Sequence, residues 1–151
     1  MIQVWNKTFV FDTKNTTYCF RVLETGQLEH LYYGRTLVIT EEEDTASLAE
    51  KHAFAPGNTV LYDNAHTQYS LEDMRLEMSS LGKGDIREPF VEIVYHDGGH
   101  TSDFVYESYE ILDNRKPLET LPGAYEETLP VPELIVKMSD RNYGLTLELH
   151  Y

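Results

Sequence analysis

Residues 145–151 of the 151-residue chain read LTLELHY, and this stretch decides the fold class. Three leucines and a tyrosine alternate with a threonine, a glutamate and a histidine over these seven residues. A period of two places the apolar side chains on one face of an extended strand and the polar side chains on the other. The stretch therefore predicts a β-strand that is buried on one face.

The same alternation recurs along most of the chain, in segments rich in Val, Ile, Tyr and Phe. These segments predict six further strands at Val4–Phe11, Thr17–Leu23, Leu28–Tyr33, Phe90–Tyr95, Ser102–Leu112 and Leu134–Met138. A single domain of this length buries roughly 70% of the surface that its unfolded chain exposes. The sequence thus predicts one all-β domain, an antiparallel β-sandwich.

Two local signals add detail to this prediction. The Asp97-Gly98 pair tolerates positive φ, so we expect it to turn a hairpin that pairs Val91–Tyr95 with Phe104–Ile111. The segment Asp44–His52 is the one helix that we predict, a short one with Asp44 as its cap.

Charge and composition exclude several partners. The chain carries 12 basic and 26 acidic residues, a formal charge of −14, which repels nucleic acids and anionic membrane surfaces. We found neither a signal sequence nor an apolar run long enough to span a membrane. Cys19 is the only cysteine and lies in an apolar run, which indicates a buried thiol and a reducing, cytoplasmic environment.

An ordered series of motifs lies between Ser70 and Asp103. LED at residues 71–73 is followed by Glu77, then by GKGDIREP at residues 82–89, and then by DGG at residues 97–99, which leads into TSDF at 101–104. Further matches lie at residues 28–34, 121–125 and 143–145. With this series the whole chain closely resembles the N-terminal domain of bacterial α-galactosidases of glycoside hydrolase family 36.

This resemblance implies a larger enzyme than the chain itself. Members of the family have an N-terminal β-supersandwich of galactose-mutarotase-like fold, a central catalytic (β/α)8 barrel and a small C-terminal β domain. On this basis residues 1–151 are expected to be an incomplete N-terminal sandwich without the barrel, inactive alone and requiring no cofactor or metal. The parent would be a retaining enzyme that hydrolyses terminal α-galactosides such as melibiose and raffinose.

The resemblance also suggests a role for the segment from Lys51 to Tyr69. Family members commonly form tetramers in which the N-terminal domain packs near a neighbouring subunit's active site. The segment is therefore expected to edge the galactose pocket of an adjacent subunit, or else to serve as a purely structural interface. The candidate substrate-binding residues are His52, Asp63, Asn64 and His66.

Catalysis within this chain has one candidate pair, Asp85 and Glu88. A retaining glycosidase needs two carboxylates about 5 Å apart on either side of the bond that is cleaved. A spacing of three residues on an extended or turning backbone does not by itself aim both groups at one sugar carbon. We therefore expect Asp85 to accept hydrogen bonds in a turn, and Arg87 to pair with it or with another acidic residue.

Two other candidate sites in the sequence have simpler explanations. His96 and His100 flank the predicted turn with Asp97 as the nearest third ligand, which is too few for an ordinary zinc site, so we expect exposed histidines. Tyr62, Tyr69 and Tyr125 lie in predicted loops, where aromatic rings can stack on sugars. An independent carbohydrate-binding module therefore remains the alternative function.

Overall fold

In the computed structural model the described residues are 1–49, 60–115, 120 and 130–151. Their strands form two antiparallel sheets, one with the order β1-β2-β3-β4 and the other with the order β5-β6-β7. The strands are β1 (Ile2–Trp5), β2 (Thr8–Asp12), β3 (Thr16–Val22), β4 (Leu28–Arg35), β5 (Phe104–Leu112), β6 (Glu133–Asp140) and β7 (Thr146–His150). A short helix α1 (Glu42–Ala46) follows β4, and one turn of 3-10 helix spans Leu71–Asp73.

A shared apolar core joins the two sheets. Phe9 and Phe20 of the first sheet and Leu134 and Val136 of the second are completely buried in one cluster. The two phenylalanine rings lie 5.0 Å apart between their centroids. Complete burial of side chains of this size contributes about 1.5–3 kcal/mol each. The sheets therefore pack face to face, and the predicted antiparallel β-sandwich with one short helix is confirmed.

The outer face of the first sheet is covered as well. Val10 and Cys19 are paired across β2 and β3, one position along from the core phenylalanines, so their side chains point to the opposite face. There they pack with Leu31 and Ile39 in a second apolar cluster. Burial, with a smaller contribution from the Asp12 carboxylate, raises the pKa of the Cys19 thiol to about 12. Cys19 is thus the buried thiol that its apolar neighbours predict.

The single strand predicted at Val4–Phe11 is wrong, because the chain reverses within it. Asn6 and Lys7 adopt positive φ angles of 41° and 68° and join β1 to β2 in a two-residue hairpin. Positive φ at both central residues suits the right-handed twist of the flanking strands. Trp5 pairs with Thr8 across this turn, so the alternation of side chains continues through the reversal and hides it in the sequence.

The predicted hairpin between Val91–Tyr95 and Phe104–Ile111 is also wrong, although its turn is present. Residues 90–95 form no strand in the structure, and β5 pairs with β6 instead. On its other side β5 meets the β3–β4 connection, where the Tyr106 N–H donates to the Gly26 carbonyl at 2.8 Å. Gly26 has a φ of +95°, and a Cβ atom there would lie 2.9 Å from Val105. That edge of β5 is therefore occupied at this point.

Helix α1 begins before the predicted Asp44 and does not use Asp44 as its cap. Glu41 occupies the cap position, and the Asp44 carboxylate accepts the backbone N–H groups of Thr40 at 2.8 Å and of Glu41 at 3.2 Å. The predicted end at His52 lies outside the described residues. Within the described ranges, no helix has the length and apolar character needed to cross a bilayer.

Candidate functional site

Residues 62–69 form a compact loop whose ends are joined. The Tyr62 N–H donates to the Tyr69 carbonyl at 2.9 Å, and the Tyr69 N–H donates to the His66 carbonyl at 3.0 Å. Between these bonds Asn64, Ala65, Thr67 and Gln68 are exposed. A loop with joined ends and an outward tip is a common way to present polar groups on a rigid scaffold. This 62–69 loop is our candidate site.

Two predicted residues of this loop contact each other directly. The Asp63 carboxylate lies 2.8 Å and 3.0 Å from His66 Nδ1 through its two oxygens. Its Oδ1 also accepts the backbone N–H groups of Ala65 at 2.9 Å and His66 at 2.8 Å. Partial desolvation opposes ionisation of Asp63, but the bonds from His66 and Ala65 outweigh it and lower the pKa. Asp63 therefore remains ionised and holds the imidazole in one orientation.

A buried carboxylate anchors the loop to the sandwich. The Tyr62 hydroxyl donates to Asp103 at 2.9 Å and 3.1 Å, and Gln27 Nε2 donates to the same carboxylate at 3.1 Å. The Lys83 ammonium lies 5.0 Å from the centroid of the Tyr62 ring and 3.8 Å from Asp103. Since Tyr62 and Asp103 are only 6% and 4% exposed, both are fixed in position. The Tyr62 ring is therefore unavailable for stacking on a sugar.

A second buried carboxylate supports the first. Asp140 accepts the backbone N–H of Asp103 at 3.0 Å, together with the N–H groups of Asn142 at 2.6 Å and Tyr143 at 2.9 Å. The Tyr95 hydroxyl adds a bond at 3.3 Å. Burial alone would raise the pKa of Asp140, but these donors together lower it. Asp140 thus fixes the start of β5 and, through Asp103, the base of the 62–69 loop.

The candidate catalytic residue Asp85 has a structural role. Its side chain is completely buried, and both oxygens accept from the Arg87 guanidinium, at 2.8 Å and 2.9 Å. The same guanidinium donates to the carbonyl groups of Leu71 and Met74, each at 2.7 Å. The predicted Asp85–Arg87 pair is therefore present. Glu88 is exposed, so these two carboxylates differ completely in environment.

The turn at Asp97 presents no group of metal ligands. His96 and His100 are both exposed. The Asp97 carboxylate accepts the Gly99 N–H at 2.9 Å and the Tyr143 hydroxyl at 3.1 Å. Across residues 1–49, 60–115, 120 and 130–151, no three His, Cys, Asp or Glu side chains are placed to hold an ion together.

A groove of about 380 Å³ runs beside β7. One end of the groove contains Glu77. Its carboxylate accepts hydrogen bonds from the hydroxyl groups of Tyr18 and Tyr151, the latter at 3.1 Å. The same carboxylate lies 3.4 Å from His30 Nδ1. Burial and the nearby Glu77 carboxylate raise the pKa of both tyrosines. The remaining lining residues are Met78, Phe90, Glu148, Leu149 and His150.

The sequence predicts some of these groups and not others. Asp63, Asn64 and His66 do share one loop, whereas His52 and Tyr125 lie outside the described residues. The anchors Asp103 and Asp140 were not identified as such. Asp103 directly precedes β5 and Asp140 is the last residue of β6, but neither position carries a local sequence pattern that marks a buried carboxylate.

The chain was compared with known proteins. A model of the glycosyl hydrolase family 36 N-terminal domain matches residues 26–151. The bifunctional α-galactosidase/sucrose kinase of Mediterraneibacter gnavus is 30% identical over 149 residues, which cover 96% of this chain and 15% of that protein.

Solved structures show the same relationship. An α-galactosidase from Lactobacillus brevis superposes with a TM-score of 0.85 at 25% identity, covering 99% of this chain and 20% of that one. A family 36 α-galactosidase from Geobacillus stearothermophilus, solved in complex with raffinose, superposes with a TM-score of 0.75 at 23% identity, covering 96% and 20%. The chain thus spans only about one fifth or less of the length of these relatives.

Proposed function

Because this chain belongs to the glycosyl hydrolase family 36 N-terminal domain family, we propose that it is the non-catalytic β-sandwich of a longer cytoplasmic α-galactosidase. The catalytic (β/α)8 barrel and the C-terminal β domain belong to other parts of that polypeptide. The whole enzyme hydrolyses terminal α-galactosides of the melibiose and raffinose type. This sandwich supports the barrel and the assembly of the oligomer, a tetramer in the parent enzyme.

We propose further that the 62–69 loop edges the active site of a neighbouring subunit. The observation that carries this proposal is the anchoring of an exposed polar tip by the Tyr62–Asp103 bond at 2.9 Å. A group that contacts substrate must be held within a fraction of an ångström, and buried supporting bonds provide that rigidity. Asp63, Asn64 and His66 offer hydrogen-bond donors and acceptors that match sugar hydroxyl groups.

The non-catalytic assignment is supported by the environment of Asp85. A buried carboxylate whose two oxygens are both bound to Arg87 cannot act as a nucleophile without breaking that ion pair. We expect the 151-residue chain to show no hydrolysis of p-nitrophenyl α-galactoside or raffinose. Turnover that disappears in Asp85→Asn or Glu88→Gln would overturn the assignment.

The alternative of an independent carbohydrate-binding module is tested on the same chain. Titration with galactose and raffinose should give no binding heat and no shifts in amide resonances, because sugar contacts require the barrel. Saturable binding that is lost in Tyr69→Ala would favour the module instead. Tyr69 is chosen since it is only partly buried.

The role of the loop is tested in the longer polypeptide. Asp63→Ala and His66→Ala should raise KM for raffinose several-fold while the oligomeric mass stays unchanged. Lys14→Ala, in the exposed turn between β2 and β3, is the control and should leave KM unaltered. Unchanged KM in both loop variants would restrict the loop to a structural interface.

A further inference from the structure

The Asp63 carboxylate determines which ring nitrogen of His66 carries a hydrogen. An ionised carboxylate has no hydrogen to donate, so its contact of 2.8 Å with His66 Nδ1 requires a hydrogen on Nδ1. The second carboxylate oxygen lies 3.0 Å from the same nitrogen and adds to this preference. A neutral imidazole has a hydrogen on only one of its nitrogens. In the neutral ring, His66 Nε2 therefore carries a lone pair and is a hydrogen-bond acceptor.

The surroundings of the imidazole also restrain the direction of that lone pair. The two ring nitrogens point in divergent directions, so Nε2 is directed away from Asp63. The rings of Tyr62 and Tyr69 lie close by, with their centroids 6.3 Å and 6.1 Å from that of the imidazole. Tyr62 is itself held by its hydrogen bond to Asp103. The His66 side chain keeps 30% of its surface exposed in the described structure, so the ring is both restrained and partly accessible.

An acceptor nitrogen selects ligand groups by the hydrogen that they can donate. A sugar hydroxyl can donate its hydrogen to His66 Nε2, whereas an ether oxygen or a fluorine substituent has no hydrogen to donate. A site built to bind a hydroxyl group disfavours an analogue without it, because the polar group of the protein is then left unpaired. The tautomer of His66 therefore decides which hydrogen-bond direction the 62–69 loop offers to a sugar.

We propose that neutral His66 accepts, through Nε2, a hydrogen bond from one hydroxyl group of the galactose ring. Asp63 is then a positioning residue, which acts on the sugar only through the tautomer and orientation of His66. This inference rests on the proposed place of the 62–69 loop at a neighbouring active site. It adds the atom that meets the sugar and the direction of the hydrogen bond.

Nitrogen-15 NMR of the histidine rings in the 151-residue chain tests the tautomer at pH 8, where a free imidazole is neutral. The spectrum of His66→Ala identifies the resonances of His66. We expect a hydrogen on Nδ1 and none on Nε2. Asp63→Asn is the matched variant, because its amide oxygen can still accept the N–H groups of Ala65 and His66 while its NH₂ group can donate to Nδ1. It should shift the ring toward the tautomer with a hydrogen on Nε2.

The contact with the sugar is tested in the longer polypeptide at the same pH. Monodeoxy and monodeoxyfluoro galactoses, substituted at each hydroxyl position in turn, serve as competitive inhibitors of p-nitrophenyl α-galactoside hydrolysis. At one position, loss of the hydroxyl should raise the inhibition constant about fivefold beyond its effect in His66→Ala. Fluorine should bind no better than hydrogen there, and Asp63→Asn should reduce the difference. Lys14→Ala is again the control and should retain it in full.

Three outcomes would overturn the proposal. A hydrogen on Nε2, or on both nitrogens, in the unsubstituted chain shows that Asp63 does not set the acceptor tautomer. Fluorine that restores the affinity of the hydroxyl group shows that Nε2 donates. An unchanged hydroxyl dependence at every position in His66→Ala shows that galactose does not meet His66. The place of the loop itself is decided separately, by KM for raffinose in the loop variants, so failure of the two proposals can be distinguished.

Discussion

The Tyr62 hydroxyl donates a 2.9 Å hydrogen bond to the Asp103 carboxylate across a separation of 41 residues. Both partners are buried. The 62–69 loop is thus attached to the start of β5 by a polar contact in the interior. A buried carboxylate such as Asp103 is stable only when all of its hydrogen-bond donors are in place.

Tyr62→Phe should therefore destabilise the domain. The substitution keeps the ring but removes one donor from a buried carboxylate, at a cost of about 2 kcal/mol in the free energy of unfolding. Urea denaturation measures the change. Tyr32→Phe is the control, because the Tyr32 hydroxyl donates to the Arg35 carbonyl at an exposed site, and it should cost less than about 0.5 kcal/mol. Equal effects of the two substitutions would contradict the anchoring role.

Arg87→Lys keeps the positive charge but should still destabilise the domain strongly. The guanidinium binds both Asp85 oxygens and two carbonyl groups at once, a pattern that a single ammonium cannot reproduce. We expect a loss of about 3 kcal/mol in the free energy of unfolding, because Asp85 is left buried with incomplete compensation. Arg35→Lys, at an exposed position, should be nearly neutral. A loss below about 1 kcal/mol for Arg87→Lys would show that the carboxylate finds other donors.

Asp140 should make stability depend on pH in the acid range. Its backbone donors lower its pKa below the ordinary value of 3.8 in the folded state. Its contribution is therefore complete above the unfolded pKa and is lost as the pH falls through the folded pKa. The stability difference between the native chain and Asp140→Asn should be constant above about pH 5 and should shrink progressively below it.

Denaturant titrations at a series of pH values measure this difference. Asp73→Asn, which removes an exposed carboxylate, controls for the loss of one negative charge. A difference that grows on acidification would contradict the assigned role of Asp140.

Cys19 should resist alkylation while the domain is folded. Burial raises its pKa from 9.0 to about 12, which lowers the thiolate fraction at pH 8 about a thousandfold. Iodoacetamide should label the native chain far more slowly than the urea-unfolded chain, as followed by mass spectrometry. The chain has one cysteine, so the readout is unambiguous. Similar rates in the two states would show that the outer face of the first sheet opens readily.

Side-chain alternation predicted the sandwich well because it reports burial on one face of an extended backbone. It does not report hydrogen-bond partners. Residues 91–95 keep alternating burial, with Tyr95 buried and Val94 exposed, yet they lie outside any ladder. At Asn6-Lys7 the opposite happened, since the alternation continued through a chain reversal. Both errors concern strand pairing. The reversal at Asn6-Lys7 is local but leaves no break in the alternation, whereas the partners of β5 include a distant segment at Gly26.

The site was predicted only as a segment. Asx-type bonds within residues 63–66 are local and follow from the residue types, so the proximity of Asp63 and His66 was within reach of sequence reasoning. The hydrogen bonds that anchor the loop join Gln27 and Tyr62 to Asp103, across 76 and 41 residues. No local pattern encodes such a distance, and only the folded sheets bring these groups together.

The bond between Tyr151 and Glu77 has a consequence for how the domain is made. These residues are 74 positions apart, and β7 is the last of the described strands to leave the ribosome. Before β7 has been synthesised, three groups lack part of their final surroundings: Phe9, Phe20 and the Glu77 carboxylate. All-β domains that are dominated by such long-range contacts typically fold in about milliseconds to seconds. During synthesis the apolar inner face of the first sheet therefore stays uncovered until the second sheet has been made.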